Sequence, residues 1–406
     1  MTVDVRPCED LEQFTDATGA IMSFFETEGE RERERIERFS RMLPVERMHA
    51  AWTDGAIVGG AGAFAFDMSI PGGRIATAGV TAVGVYPTHR RRGVLRAMMR
   101  AQLDDARERG EPIAALWSSE ETIYGRFGYG IASWAGEMRI PREYSAFAQP
   151  FERAGAIRFV EPDEALELFP PVFLAVRQER AGMYLRSHDW WRDRTLADPE
   201  ERREGAGPKR YVVHETDDVA TGYAIYRHKP SFEAGSSTGA VQVLEAMGST
   251  PEAMRNVWRY LLDIDWAAAI EARFLPPDHP LFLLLATPRR ARYRMGDSLW
   301  IRIVDVGPAL SARSYRGGER IVFEVRDAFC DWNAGRWRLE AGRAERTYEE
   351  PDLRMDVDVL GSAYLGGVTF AQLKRALRLD ELRAGAVRRA DDLFRTDAHP
   401  WCPEIF

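Results

Sequence analysis

The sequence has few cysteines, no long apolar run and no excess of basic charge. Its three cysteines occur among 406 residues without the spacing of a metal-binding or redox motif. We therefore expect free thiols, no disulfide framework and no metal ion. The longest uninterrupted apolar run, residues 281–286, is far too short to cross a bilayer, so no membrane span is predicted.

The charge balance argues against a nucleic-acid partner. The formal net charge is -8 at pH 7, whereas binding to phosphates needs a clustered basic face. This charge weakly favours cationic substrates, or it only maintains solubility, and both interpretations stay open. The first ten residues carry acids and a proline where a secretory signal has a basic and then an apolar segment, so we expect a cytoplasmic protein.

The length of the chain predicts more than one domain, because 406 residues exceed what one hydrophobic core usually organises. Residues 147–155 lack periodicity and indicate a linker, and a proline-rich stretch at residues 275–280 marks the closing of a second segment. We predict three domains, covering residues 1–150, 151–290 and 291–406.

The first of these segments has the pattern of an α/β domain. Residues 9–25 have helical apolar spacing, and the charged stretch 26–38 fits either a solvated helix or a mobile lid. Residues 48–70 indicate a hairpin of strands. Residues 75–117 follow the order strand, loop, helix, strand, which predicts a βαβ unit with a ligand site at the strand end.

The last segment has the pattern of an α+β domain. Apolar and charged residues alternate around residues 321–326 and 336–340, which predicts two half-buried antiparallel strands. Helical spacing returns at residues 370–377. We therefore expect a sheet with one face covered by helices.

The segment from Val80 to Leu95 carries the strongest chemical signal. A strand leads into a basic loop with Gly93, and the loop enters a helix whose first N–H groups have no internal partner. Such amides, the helix dipole and the arginines at positions 90–92 can hold a pyrophosphate, and glycine lets the backbone approach it. The Walker pattern and the three-glycine dinucleotide pattern are both absent, which disfavours ATP and NAD.

This loop resembles the Arg/Gln-x-x-Gly-x-Gly/Ala loop by which the GNAT superfamily of N-acetyltransferases binds CoA, with Leu95 at the final position. Other parts of the chain are similar to the enhanced intracellular survival (Eis) family of that superfamily. They are the Thr-His-Arg-Arg-Arg-Gly-x-Leu run ending at Leu95, residues 118–130, residues 299–313, residues 358–366 and the terminal Phe406.

The resemblance implies a multidomain fold of α/β and α+β classes. It comprises two tandem GNAT-type acetyltransferase domains and a sterol-carrier-protein-like α+β domain. Residues 151–290 contain no second Arg-x-x-Gly loop between a strand and a helix, so we expect one CoA site, in the first domain. The family's activity implies acetyl-CoA as donor and amines of aminoglycosides or lysine side chains as acceptors. A homo-hexamer is implied in the same way.

The resemblance also implies roles for individual residues. Tyr124 is the expected general acid, and the terminal carboxylate of Phe406 is the expected base. Cofactor contacts are expected at Val83, Gly84, Val85, Arg91, Arg92, Gly93, Val94, Leu95, Arg96, Ser119 and Glu120. Because a polyamine needs an acidic pocket, Glu26 and Glu404 are candidates for its lining, although both can equally be solvent-exposed carboxylates.

A different class of function remains open. The third domain allows a lipid or sterol carrier in which the acetyltransferase part is an inactive scaffold. A carrier needs an apolar cavity without an acidic rim, and an inactive site has no reason to keep both the arginine loop and Tyr124. The sequence does not determine the acceptor amine, the acetylated position or whether the third domain binds a lipid.

Overall fold

The structure is a computed structural model that describes residues 3–22 and 30–406. The chain forms two compact units. The first consists of Met1–Ser133, Ser298–Asp397 and Ile405–Phe406, and the second consists of Trp134–Asp297 and Ala398–Glu404. No helix among the described residues is both long and apolar enough to span a bilayer.

The secondary-structure elements are numbered in chain order. The strands are β1 (Asp4–Pro7), β2 (Met48–Thr53), β3 (Ala56–Ile70), β4 (Gly73–Val85), β5 (Ile113–Trp117), β6 (Gly130–Ile131), β7 (Trp134–Pro141), β8 (Ala156–Val160), β9 (Arg210–Thr216), β10 (Val219–Lys229), β11 (Phe232–Glu233), β12 (Ser236–Ser237), β13 (Ala240–Gly248), β14 (Ala269–Leu275), β15 (Arg294–Asp297), β16 (Leu299–Ile303), β17 (Ile321–Arg326), β18 (Gly335–Glu340), β19 (Arg343–Arg346), β20 (Leu353–Asp356) and β21 (Leu379–Glu381).

The helices are α1 (Leu11–Met22), α2 (Glu30–Met42), α3 (Val94–Glu108), α4 (Glu121–Tyr124), α5 (Pro162–Glu179), α6 (His188–Trp190), α7 (Pro251–Asp263), α8 (Leu281–Leu284), α9 (Val306–Ala312), α10 (Val357–Tyr364), α11 (Phe370–Arg375) and α12 (Ala386–Phe394). Helix α2 confirms the predicted helix for residues 30–38. Residues 26–29 lie outside the described part of the chain.

The first unit contains a seven-stranded sheet with the order β1-β2-β3-β4-β5-β16-β6. The hairpin of β2 and β3 is antiparallel, as predicted, and β4 and β5 are parallel neighbours joined through α3, which confirms the βαβ unit. Strand β16 pairs with β5 on one side and with β6 on the other. The sheet is therefore completed by a strand that follows in the chain only after the second unit.

Strands β4 and β5 part before they end. Their pairing covers only residues 77–79 and 113–115, whereas β4 continues to Val85. Ala82 lies in the left-handed region with φ 49°, where the register of β4 against β3 shifts by one residue. This β-bulge turns the end of β4 away from β5 and leaves one edge of its last residues without a neighbouring strand.

The apolar face of α3 packs into the first unit, as its sequence predicts. Its buried side chains include Val94, Met98, Met99 and Leu103. The helix ends before Gly110, whose φ is 72°, the left-handed conformation that glycine adopts without strain. The amphipathic pattern therefore fixes which side of α3 faces the sheet.

The second unit repeats this topology in a seven-stranded sheet with the order β15-β7-β14-β13-β10-β9-β8. Strands β13 and β14 are parallel over residues 240–243 and 269–272, and α7 connects them. The register of β13 against β10 shifts immediately after Val243, so β13 also carries an irregularity where its parallel pairing ends. The elements β10, β13, α7 and β14 thus correspond to β3, β4, α3 and β5.

Strands β11 and β12 form a two-stranded sheet. A further sheet has five strands in the order β19-β18-β17-β20-β21, and β17 and β18 are antiparallel, as predicted. The rings of Phe323, Phe370 and Phe394 pack together between sheet and helices. The predicted helix over residues 370–377 is wrong at its end. It stops at Arg375, and Leu377 is left-handed and 91% exposed, because the chain turns back to close the helix terminus.

A buried polar network joins β16 to the segment after β17. The guanidinium of Arg302 is 2.6 Å from Asp327 Oδ2, and their side chains are 0% and 1% exposed. Asp327 also accepts hydrogen bonds from the backbone N–H groups of Phe329 and Cys330 and from the side-chain amide of Asn333. The three cysteines of the chain, including Cys330, are buried and form no disulfide bond.

This network leads to a prediction about stability. Asp327→Asn keeps the shape of the side chain but leaves the charge of Arg302 buried without a counter-ion, so we expect a loss of about 3–5 kcal/mol in the free energy of unfolding. Asp356→Asn is the matched control, because its ion pair with Arg326 is more than half exposed on both sides and contributes at most about 1 kcal/mol. Urea denaturation measures both variants, and equal losses would contradict the assignment.

Candidate functional site

A cavity of about 740 Å³ opens in the first unit, where β4 parts from β5. Its walls are the end of α1, the end of β4, the start of α3 and the segment after β5. The lining residues are Ile21, Val83, Gly84, Val85, His89, Arg90, Arg91, Gly93, Val94, Leu95, Arg96, Ser119, Glu120, Ile123, Tyr124, Arg126 and Phe127. A volume of this size is typical of small-molecule sites.

The start of α3 presents unpaired backbone amides to this cavity. The first hydrogen bond within the helix runs from the N–H of Ala97 to the C=O of Gly93, so the amides of residues 93–96 have no acceptor in their own helix. No side chain caps this end. These amides and the helix dipole form a site for an anion.

Glycine at position 93 is required by the backbone. Its φ is 86°, and Arg91, two residues earlier, is also left-handed with φ 60°. A Cβ atom built on Gly93 meets nothing within 4 Å, so the requirement comes from conformation rather than from crowding. The two left-handed residues turn successive N–H groups in the direction of the helix start.

The backbone of residues 83–85 forms a second polar wall. Strand β3 pairs with one edge of this stretch, and β5 does not extend far enough to pair with the other. Gly84 also lies close to the end of α1, since a Cβ atom there would be 2.8 Å from the backbone nitrogen of Ile21. The edge that β5 leaves unpaired is where an extended ligand can lie along the backbone of β4.

Arginine side chains add positive charge around the helix start. Arg91 is exposed and lines the cavity, and Arg90 lines it while its Nε donates to Val85 O at 3.3 Å. The guanidinium of Arg96 lies 4.9 Å from the centre of the Phe329 ring. Arg92 is exposed on the same loop but is not among the lining residues.

Tyr124 lies at the wall formed by the segment after β5. It is 8% exposed, its ring packs edge-on against that of Tyr129, and its hydroxyl forms no hydrogen bond with any described residue. Burial, together with the nearby carboxylate of Glu120, raises the pKa of Tyr124 to about 12. The hydroxyl therefore stays protonated at neutral pH and can donate a proton or a hydrogen bond.

A segment of the third domain supports both sides of this cavity. The ring of Phe329 packs edge-on against Phe127 at a centroid distance of 5.1 Å and lies beneath Arg96. Arg100, one turn further along α3, donates from Nη1 to Phe329 O at 2.9 Å. The position of α3 thus depends on residues more than two hundred positions later in the chain.

The remaining predicted residues lie in different places. Phe406 is 7% exposed, and its ring packs edge-on against Phe66 at 4.9 Å. Glu404 belongs to the second unit, where its carboxylate accepts hydrogen bonds from Arg186 Nε at 2.5 Å and Trp190 Nε1 at 3.1 Å. Glu26 lies outside the described residues.

The carboxylate of Glu404 is therefore compensated by a guanidinium that is itself 1% exposed. Arg186 also contacts Glu245 through both carboxylate oxygens. These contacts hold the carboxylate of Glu404 within the second unit. A role for Glu404 in binding a cationic acceptor stays a prediction.

Sequence reasoning missed several residues that line or support the cavity. Arg126 and Phe127 stand in the same motif as Tyr124, which is a signal that could have identified them. His89 likewise stands in the Thr-His-Arg-Arg-Arg-Gly-x-Leu run, whereas Ile21 carries no such signal in the sequence. Phe329 is missed for a different reason, because its proximity to Arg96 depends on how distant segments pack.

Comparison with known proteins identifies the domains. Residues 6–132 and residues 182–303 each match a family described as acetyltransferase (GNAT) domain, and residues 306–403 match the sterol carrier protein domain. The chain is therefore a GNAT-type N-acetyltransferase with two tandem acetyltransferase domains and a sterol-carrier-protein-like domain. GNAT acetyltransferases use acetyl-CoA as donor, and the residues around the start of α3 suit such a phosphorylated substrate.

Individual relatives define the family more narrowly. The chain is 41% identical over 379 residues to an uncharacterized N-acetyltransferase of Streptomyces avermitilis, covering 92% of each chain. It is 35% identical over 344 residues to N-acetyltransferase Eis of Mycobacterium tuberculosis, covering 81% of each chain. The crystal structure of Eis1 from Mycobacterium abscessus has a TM-score of 0.85 at 33% identity and covers 99% of this chain. The chain belongs to the Eis family.

The geometry of α3 leads to a prediction about acetyl-CoA binding. Gly93→Ala forces a Cβ atom onto a left-handed residue at the helix start, which disturbs the amides that face the cavity. We expect the dissociation constant for CoA to rise by about tenfold or more, since hydrogen bonds to charged groups contribute about 1.5–3 kcal/mol. Isothermal titration calorimetry measures the change.

The matched control is Gly110→Ala at the opposite end of the same helix. Gly110 has φ 72°, and a Cβ atom there also meets nothing within 4 Å, so both variants carry the same kind of backbone strain. Gly110→Ala is expected to lower stability while leaving the affinity for CoA unchanged. An equal loss of affinity in both variants would show that the amides of α3 play no specific part.

Proposed function

We propose that this enzyme transfers the acetyl group of acetyl-CoA to primary amines of aminoglycoside-like polyamines, at more than one position, or to lysine side chains. The observation that carries the proposal is a single cavity with an anion-binding helix start at one wall and the protonated hydroxyl of Tyr124 at another. A pyrophosphate and a thioester are the two parts of acetyl-CoA that these walls suit. The single CoA site predicted for the first domain is part of the same proposal.

The donor is held by groups that the cavity already aligns. The amides of residues 93–96 and the guanidinium groups of Arg91 and Arg96 bind the pyrophosphate. The pantetheine arm lies along residues 83–85, where β4 has an edge that β5 does not cover. Ser119 and Glu120 contact the arm from the opposite wall. An amide of residues 83–85 stabilises the oxyanion that forms when the amine attacks the thioester carbonyl.

The amine must lose a proton before it attacks. A lysine-like amine has a pKa of about 10.4, so roughly four molecules in ten thousand are neutral at pH 7, and only the neutral form is nucleophilic. We assign the proton acceptor to the terminal carboxylate of Phe406, whose ring is fixed against Phe66. An α-carboxylate has an ordinary pKa of about 3.3–3.7, so it acts through an ordered water or after desolvation.

The leaving group is the thiolate of CoA. Collapse of the tetrahedral intermediate breaks the carbon–sulfur bond, and the hydroxyl of Tyr124 donates its proton to the sulfur. Burial raises the pKa of Tyr124 to about 12, which keeps the proton in place until the thiolate develops. The amine nitrogen retains the acetyl group as an amide, and CoA leaves as the thiol.

The alternative function of a lipid carrier gains no support from the third domain. The rings of Phe323, Phe370 and Phe394 pack against one another between its sheet and its helices, and Tyr364 is fully buried. Residues of this domain instead pack beneath α3, as Phe329 does. We propose that the role of this domain is to support the acetyltransferase site.

Two further parts belong to the proposal. The enzyme is a cytoplasmic homo-hexamer. Glu26 and Glu404 attract the cationic acceptor.

The test of the activity is a screen of acceptors with acetyl-CoA, in which the released thiol is measured and the products are identified by mass spectrometry. Aminoglycosides, linear polyamines and lysine peptides form the three arms, and the hydroxyl analogue of each amine is the control. Transfer to an amine at a rate well above hydrolysis supports the proposal, and multiple acetylation of one aminoglycoside supports a roomy site. Thiol release without any acetylated amine would contradict it.

The role of Tyr124 leads to a prediction about turnover. Tyr124→Phe removes the proton donor but keeps the ring, so we expect kcat to fall by about a hundredfold or more while CoA affinity stays within a factor of about two. Tyr129→Phe is the matched control, since this neighbouring hydroxyl is completely buried and does not line the cavity. Steady-state kinetics of both variants decide the assignment, and full turnover by Tyr124→Phe would remove it.

The role of the Phe406 carboxylate leads to a prediction about pH. Converting it to a carboxamide by protein ligation keeps the ring and removes the base, so we expect slower transfer at pH 7. The deficit should narrow as the pH rises towards about 10, where the amine loses its proton without help. The control is the same ligation with the native acid. A deficit that stays constant between pH 7 and pH 10 would show that the carboxylate does not deprotonate the amine.

A further inference from the structure

A second cavity, of about 500 Å³, lies in the second unit at the place that corresponds to the acetyl-CoA cavity of the first. Its walls are the end of α5, the end of β13, the first turn of α7 and the segment after β14. The walls of the first cavity are the end of α1, the end of β4, the first turn of α3 and the segment after β5. The two cavities therefore occupy equivalent positions in the repeated fold.

The second cavity lacks the means of holding a pyrophosphate. In the first unit, residues 86–93 separate β4 from α3, whereas only residues 249–250 separate β13 from α7. Helix α7 begins with Pro251, which has no N–H, and the side chain of Thr250 already accepts the hydrogen bond of Ala253 N–H at 3.1 Å. CoA is therefore not the ligand that this cavity suits.

A buried hydrogen-bond donor without a partner lines the cavity. His279 is 3% exposed, and its Nδ1 lies 3.2 Å from the N–H of Leu281, from which it accepts a hydrogen bond. Burial lowers the pKa of His279 to about 3, so the ring is neutral and its proton is on Nε2. This Nε2 has no hydrogen-bond partner among the described residues. A buried polar group of this kind is costly unless a ligand satisfies it.

Arg255 supplies a second donor on the same cavity. Its guanidinium lies 4.1 Å from the centre of the Phe151 ring, and its Nε is buried without a partner. Within the part of the chain that the structure describes, Arg255 forms no ion pair. A guanidinium without a counter-ion and a buried N–H donor, on two residues that line the same cavity, suit a carboxylate.

The rest of the lining decides what kind of carboxylate fits. Val176, Met254, Leu284 and Trp401 supply apolar surface. The exposed carboxylates of Glu179 and Glu252 also belong to the lining, and they repel ligands with several negative charges. The cavity therefore combines donors for one anionic group with walls for an apolar body.

We propose that this cavity is a separate binding site for a small monocarboxylate with an apolar body, whose carboxylate is held by Arg255 and by Nε2–H of His279. Its volume is within the usual range for small-molecule sites. The site lies outside the acetyl-transfer cavity and does not depend on the activity proposed for it.

The test uses the full chain saturated with CoA, so that ligands cannot enter the first cavity. Octanoate and 3-phenylpropionate are titrated by isothermal titration calorimetry, and octanamide is the uncharged comparison. We expect both carboxylates to bind and octanamide to bind at least about tenfold more weakly, because it lacks the charge-assisted hydrogen bonds. Absence of binding by either carboxylate overturns the proposal.

Variants locate the binding. Arg255→Gln should weaken binding of octanoate by about tenfold or more. Arg259→Gln is the matched control, since Arg259 lies one turn further along α7 with its guanidinium over Phe147 and outside the cavity. Met254→Trp should abolish binding by filling the cavity without altering a charge. Equal affinity in the wild type and Arg255→Gln overturns the proposal.

A melting temperature within a few degrees of the wild type establishes that each variant is folded. Competition between octanoate and CoA would place the carboxylate in the first cavity and would also overturn the proposal. A failure to bind CoA at all concerns the proposed function alone. In that event octanoate is titrated without CoA into Gly93→Ala. Arg255→Gln and Arg259→Gln are then made in the Gly93→Ala background, and weaker binding of octanoate by Arg255→Gln alone supports the proposal.

Discussion

The parting of β4 from β5 is the constraint on which the proposed acetyl-transfer site depends. Two parallel strands that pair over residues 77–79 and 113–115 and then separate leave an edge of backbone without a partner. The left-handed Ala82 fixes this separation by adding one residue to β4 relative to β3. Backbone N–H and C=O groups need hydrogen-bond partners. The gap between β4 and β5 therefore suits a ligand whose polar groups can form these hydrogen bonds. The first turn of α3 lies beside it and supplies further donors.

The second unit shows how the same topology can serve another purpose. Strand β13 also loses its parallel partner beside a change of register, and a helix follows it in the same way. The short connection to α7 ends with a capping threonine, and the helix begins with a proline, so these two residues use or remove the amides that α3 leaves open. The length of the connection and the residues at the helix start therefore differ between the two units, although the strands are alike.

The third domain contributes to the site through packing rather than through chemistry. Phe329 lies under Arg96 and against Phe127, and the buried pair of Arg302 and Asp327 fixes the segment in which Phe329 stands. A guanidinium placed over an aromatic face loses rotational freedom and keeps its direction. The charge at the start of α3 is thus oriented by a domain that has no acetyltransferase fold.

The sequence by itself determined the local elements of this protein. Alternation along β17, the apolar face of α3, the glycine before it and the motif around Tyr124 all depend on near neighbours, because backbone conformation and side-chain periodicity are set over a few residues. The family motifs also indicated the cavity residues from Val83 to Glu120, most of which line one cavity in the structure. The predicted end of α11 was wrong, because the apolar Leu377 lies on an exposed turn after the helix.

Only the tertiary structure decided which distant segments meet. The insertion of β16 between β5 and β6, the hydrogen bond from Arg100 to Phe329 O and the ion pair of Arg186 with Glu404 join residues far apart in the chain. The unpaired donors of Arg255 and His279 became visible only when their surroundings were known. Contacts of this kind depend on how whole faces pack, and a local pattern does not specify the partner of a face.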